Sequence, residues 1–77
     1  ESRARNWKAA ADALRSAIKL QPQNADLRLN LANIARWTGD FAEARTQALE
    51  VLKSYSASPR NQADAAEMLA ALATTSQ

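Results

Sequence analysis

Seventy-seven residues carry ten Lys or Arg against eight Asp or Glu, contain neither His nor Cys, and draw 19 of their 36 hydrophobic positions from alanine. A chain of this length fits one domain; without disulfide or thiolate chemistry, and without the commonest metal ligand and general base, it has no ordinary route to catalysis. Its apolar runs are a few residues long against the roughly 20 of a membrane span, and a net charge of +2 pulls weakly on polyanions despite a pI near 9.5.

One glycine, two prolines and abundant alanine give high helix propensity nearly everywhere, so the predicted class is all-α and the molecule is expected to be soluble. Three breaks divide it into four helices. In the first, Asn6 is placed to cap a helix over 7–20, with Trp7, Ala10, Leu14, Ala17 and Ile18 on one stripe. Five cations lie here, Arg3, Arg5, Lys8, Arg15 and Lys19. Lys8 and Asp12, then Asp12 and Arg15, are ordinary helix partners, and no aromatic platform accompanies them, so nucleic acid is not an expected partner and Arg3 and Arg5 read as a solvated lead-in.

After Gln21-Pro22-Gln23, Asn24 can cap a helix over 25–37. Leu27, Leu31 and Ile34 form its core stripe, and Asp26, Asn30, Asn33 and Trp37 fall within an arc of about 60° beside it. Gly39 suits a left-handed helix end, and Asp40 caps a helix over 41–54 in which Phe41, Ala44, Ala48, Val51, Leu52 and Tyr55 share an arc of about 100°. Asp40 and Glu43 are the acids favoured at a helix N-terminus, which accounts for both without a catalytic role. Ser58 or Asn61 then caps a last helix ending near Thr74, with Pro59 suited to its first position. Its polar strip is Asp64, Met68, Ala71 and Thr75, with Glu67 alongside.

The helices repeat in alternation. Trp7, Ala10, Leu14, Ala17, Ile18 and Lys19 match Phe41, Ala44, Ala48, Val51, Leu52 and Lys53 at an offset of 34. Ala25-Asp26 and Leu31 through Ala35 match Ala63-Asp64 and Leu69 through Ala73 at an offset of 38. The order is therefore B, A, B, A, and two helices per period in the thirties predict an α-solenoid, whose units bury their apolar faces on one another.

These residues resemble the tetratricopeptide repeat, a helix-turn-helix unit of 34 residues. The full unit carries Leu31-Ala32, Gly39-Asp40-Phe41 and Glu43-Ala44; the half before it carries Asn6-Trp7, Ala10, Ala17 and Pro22, and the half after it Leu69-Ala70. On this reading one domain, 1–77, comprises a half repeat 6–24, a full repeat 25–58 and a half repeat 59–77. Departures fall where the family favours bulk. Arg28 and Ala66 stand for its early Trp, Ala35 and Ala73 for its Tyr, and Ala48 for an aromatic, so an underfilled, modestly stable unit is expected.

The resemblance implies a non-enzymatic scaffold without cofactor or metal, whose A helices line a groove for a peptide or helix of a partner protein. Its candidate contacts are Asp26, Asn30, Asn33, Trp37, Asp64, Glu67 and Met68. Asn offers a donor and an acceptor to an extended backbone; Trp37 is read first as packing under the Gly39 turn and second as an anchor, and Trp7 as core by its match to Phe41. One subset of the family grips free C-terminal carboxylates with cations on successive A helices. Here Asp64, Glu67 and Met68 take those positions, so acidic C-terminal tails are not expected to bind. Beginning at a B helix and ending after an A helix suggests a piece of a longer solenoid that self-associates through its terminal helices. Such repeats abound in bacterial secretion and assembly systems, and a bacterial cytoplasm or periplasm fits the Ala- and Gln-rich character. The alternative is a small helical bundle, closed about one centre, that serves homo-oligomerisation; it requires Leu14, Leu49 and Leu72 to meet.

Overall fold

The computed structural model describes residues 2–54 and 57–75, and the side chains of 6–54 and 57–74. Its elements are α1 (Ser2–Leu20), α2 (Ala25–Thr38), α3 (Phe41–Lys53) and α4 (Pro59–Thr75). The expectations placed on Tyr55, and on the Arg3, Arg5 and Thr75 side chains, lie outside the described residues.

Three helix starts and one helix end follow from local hydrogen bonds. The Asn24 side chain accepts from the amides of Asp26 at 3.0 Å and Leu27 at 3.3 Å, the preferred satisfaction of orphan N–H groups at a helix start. At the end of α2, Gly39 adopts φ 92°, its amide donates to the Arg36 carbonyl at 3.2 Å, and the Asp40 amide donates to the Ala35 carbonyl at 2.8 Å. These paired bonds form a Schellman motif, and the positive φ is why glycine stands there. Asp40 then accepts from the Glu43 amide at 3.2 Å to open α3. Ser58, rather than Asn61, caps α4: its hydroxyl accepts from the Asn61 amide at 3.1 Å, with Pro59 at the first helical position.

The remaining helix start, that of α1, differs from expectation. Asn6 lies inside α1, because the helix already runs from Ser2. Nothing at Ser2–Arg5 breaks a helix, and each added residue gains a backbone bond at little cost, so propagation overrides a single capping side chain.

The helices pack in succession, α1 on α2, α2 on α3 and α3 on α4, with α2 also touching α4. The backbone spans 38 × 33 × 16 Å, a flattened array of alternating helices rather than a closed bundle. Two apolar seams hold it. Ala11, Ile18, Leu31 and Ile34, flanked by Trp7, Ala10, Leu14 and Leu27, join α1 to α2. Ala25, Leu29, Ala32, Ala35, Ala44, Ala48, Val51, Ala65, Met68 and Leu72 join α2, α3 and α4. Leu14 and Leu72 therefore belong to different seams, and Leu49 is largely solvent-facing, so the three leucines of the bundle alternative do not meet. Of the alanines that stand where the family has bulk, Ala48 is fully buried, Ala35 nearly so and Ala73 exposed; Ala32 and Ala44 are fully buried where the helices approach.

A polar chain ties the first three helices. Arg28 donates to the Pro22 carbonyl at 3.1 Å and to Gln47 Oε1 at 2.9 Å; Gln47 donates to Glu43 at 2.8 Å; Arg15 donates to Glu43 at 3.2 Å and to Asp12 at 3.0 Å. Arg28 takes the place of an expected indole with a guanidinium that satisfies a loop carbonyl and a side chain 19 residues away.

Candidate functional site

Two concave surfaces flank α2. The first is a polar groove between α2 and α4. One hollow of about 800 Å³ is lined by Asp26, Leu29, Asn30, Asn33, Asn61 and Asp64 among others. A second, of about 350 Å³, is lined by Leu29, Asn33, Arg36, Asp64, Glu67, Met68 and Ala71. They share Leu29, Asn33 and Asp64, so the groove is continuous. From Asp26 to Arg36 it follows α2 for roughly 15 Å at a helical rise of about 1.5 Å per residue, room for about four or five residues of extended chain.

The caps set this groove. Asn24 and Ser58 start the two A helices, and across them Asn61 donates to Asp26 at 3.0 Å, pinning the ends of α2 and α4 together. Asp26 is therefore exposed but engaged. Asn30 is exposed and Asn33 half-buried, and among the described residues neither side chain makes an intramolecular hydrogen bond. Asp64 and Glu67 are exposed, one turn apart, without an ion-pair partner among the described residues. Leu29 forms the apolar floor. Arg36 and Arg60 also border the groove, and the sequence reading missed both, having looked for cations only at the family's gripping positions.

Two candidates fall elsewhere. Met68 is buried in the α2–α3–α4 seam and reaches the groove only as part of its wall, because the short side chains of Ala32 and Ala65 leave it space inward. Trp37 leaves the polar strip: its ring lies 5.3 Å from that of Trp7, tilted by 55°, near the preferred geometry of an aromatic pair. Trp37 thus packs on Trp7 rather than under the glycine turn and remains 59% exposed. Trp7 is half-buried, not enclosed core.

That pair marks the second surface, a cleft of about 620 Å³ between α1 and α2, with Ala11, Leu31 and Ile34 beneath it and Lys8, Asp12, Arg15 and Asp40 at its rim. Aromatic rings and cations do come together here, which the sequence reading did not foresee. Arg15 is committed to Asp12 and Glu43, and two acids share the rim, so the field is mixed. Among the described residues no group of His, Cys, Asp and Glu could hold a metal ion, and no helix is long and apolar enough to cross a membrane.

Alternating helices in two seams and a groove between the A helices define a helical repeat, and a family model described as tetratricopeptide repeat matches residues 3–73. The chain belongs to the tetratricopeptide repeat family. No curated protein and no solved structure matches it significantly. Tetratricopeptide repeats are generally non-catalytic modules of protein interaction, and the all-α fold follows that pattern.

Proposed function

We propose that the α2–α4 groove binds an extended segment of a partner protein, the chain acting as a non-enzymatic scaffold within a larger bacterial assembly or secretion component. The carrying observation is the contrast among its asparagines. Asn24 and Asn61 are consumed in holding the helices, whereas the amides of Asn30 and Asn33 are unspent and sit on the groove wall. Each offers a donor and an acceptor at the spacing of one helical turn, which suits the alternating groups of an extended backbone. The full repeat 25–58 supplies one wall, and the half repeat 59–77 the other. Asp64 and Glu67 disfavour a free carboxylate beside them, so acidic C-terminal tails are not the ligand.

The test is selection of extended peptides from a display library against the 77-residue chain, followed by titration of the best peptide into isotope-labelled protein. Amide shifts should centre on Asn30, Asn33 and Asp64, and the double substitution N30A/N33A should weaken binding at least tenfold. Shifts confined to the Trp7–Trp37 cleft, or saturable binding of an acidic C-terminal tail, contradict this reading.

A further inference from the structure

The two offsets allow each helix to be compared with its own counterpart. On α2, Leu27, Leu31 and Ile34 pack toward α1, while Ala25, Ala32 and Ala35 are buried in the seam with α3, where Arg28 reaches Gln47. Shifted by 38, the first set becomes Ala65, Leu69 and Leu72, which pack toward α3 in the same manner. The second set becomes Ala63, Ala66, Ala70 and Ala73, and all four are exposed. Helix α4 thus retains the face by which α2 holds a B helix, with no described element upon it.

Helix α1 has the matching gap. Ala44, Ala48 and Val51 of α3 are fully buried, yet their counterparts Ala10, Leu14 and Ala17 are only half-buried, and Ala13, the counterpart of Gln47, is exposed. The substitutions on the two open faces are paired. Where the α2–α3 seam joins Arg28 to Gln47, the free faces carry Ala66 and Ala13, so neither leaves a polar group needing a partner, and two methyl groups permit close approach.

We propose that α4 of one copy docks on α1 of a second copy, head to tail, reproducing the α2–α3 seam between molecules. A B helix is what the B, A, B, A order calls for next, and α1 is one. Charge favours the same pairing: α1 carries five cations against Asp12, while α4 carries Asp64 and Glu67 against Arg60, so net +4 meets net −1. The contact joins two different faces and does not close at two copies; molecules add in a row. It stands independently of the peptide reading, although the groove would continue across each joint.

Sedimentation velocity and light scattering of the 77-residue chain, from micromolar to millimolar and at low and high salt, test the proposal. The mean mass should climb past that of a dimer with concentration, less so in high salt. Ala70→Glu blocks the α4 face and Ala13→Glu the α1 face; both positions are exposed, so circular dichroism and melting should match the parent chain. Each variant alone should stay monomeric, and an equimolar mixture should form a dimer and nothing larger, since one free face of each kind remains. A parent chain monomeric at millimolar concentration overturns the proposal. So does association that survives both variants, or a closed dimer abolished only by Trp37→Ala, which would belong to the aromatic cleft.

Discussion

Helices α1 and α3 carry the same pattern 34 residues apart, yet they bury different stripes of it. In α3, Ala44, Ala48 and Val51 are enclosed, while Arg45 and Leu52 face outward. In α1 the counterparts of those outward residues, Ala11 and Ile18, are the enclosed ones. Helix α3 lies against both α2 and α4, whereas α1 packs on α2 and reaches α3 through the Arg15–Glu43 ion pair. A helix between two neighbours must turn the middle of its apolar arc inward, but a helix with one neighbour rolls so that only the edge of the arc facing that neighbour is enclosed. Identical patterning therefore yields different cores when the number of neighbours differs.

Substitutions can break or sharpen that contrast. The largest effect is expected at Leu31, fully buried where α2 meets α1; Leu31→Ala should cost about 3 to 4 kcal/mol in urea denaturation, against about 2 or less for its half-buried counterpart, Leu69→Ala. Ile18→Ala and Leu52→Ala test the roll of α1 directly. The first should cost about 2 to 3 kcal/mol and the second under about 1, because Ile18 is buried and Leu52 is exposed. Equal losses would mean that α1 and α3 present the same face.

Gly39→Ala separates local from tertiary causes. A Cβ at this position meets nothing within 4 Å, so only the backbone penalty of φ 92° remains, about 1 kcal/mol by thermal melting. A larger loss would show that the turn is packed by more than its own hydrogen bonds. The smallest expected effect belongs to the polar chain: a double-mutant cycle of Arg28→Ala with Gln47→Ala should give a coupling of about 0.5 to 1 kcal/mol, since the contact is only partly buried. Zero coupling would leave Arg28 as mere bulk in the position where the repeat usually has an indole.

The same division separates what was legible from what was not. Asn24, Gly39 and Asp40 could be read, and Ser58 as one of two choices with Asn61, because each acts on backbone groups within a few residues of itself. Asn6 misled because a cap competes with continued propagation, and the residues before it propagate well. Arg28 looked like a defect because its partners, Pro22 and Gln47, are set by how α2 meets the loop and α3. In the candidate groove, periodicity put Asn30, Asn33 and Asp64 on polar strips with Glu67 alongside, and the family resemblance made those strips groove candidates. Neither pointed to Arg36 and Arg60, since a groove border depends on the separation of two helices.

By itself the sequence determined four helices, the caps of α2 and α3, the alternation of two helix types and the two-faced character of each A helix, all consequences of local hydrogen bonding and a period of about 3.6 residues. Tertiary structure alone decided which stripe of α1 is enclosed, that Trp37 turns to Trp7 and away from the groove, and that Met68 is buried in the α2–α3–α4 seam. The reason is physical: periodicity fixes which side chains share a face, but burial is a property of the space between helices, and that space depends on every neighbour present.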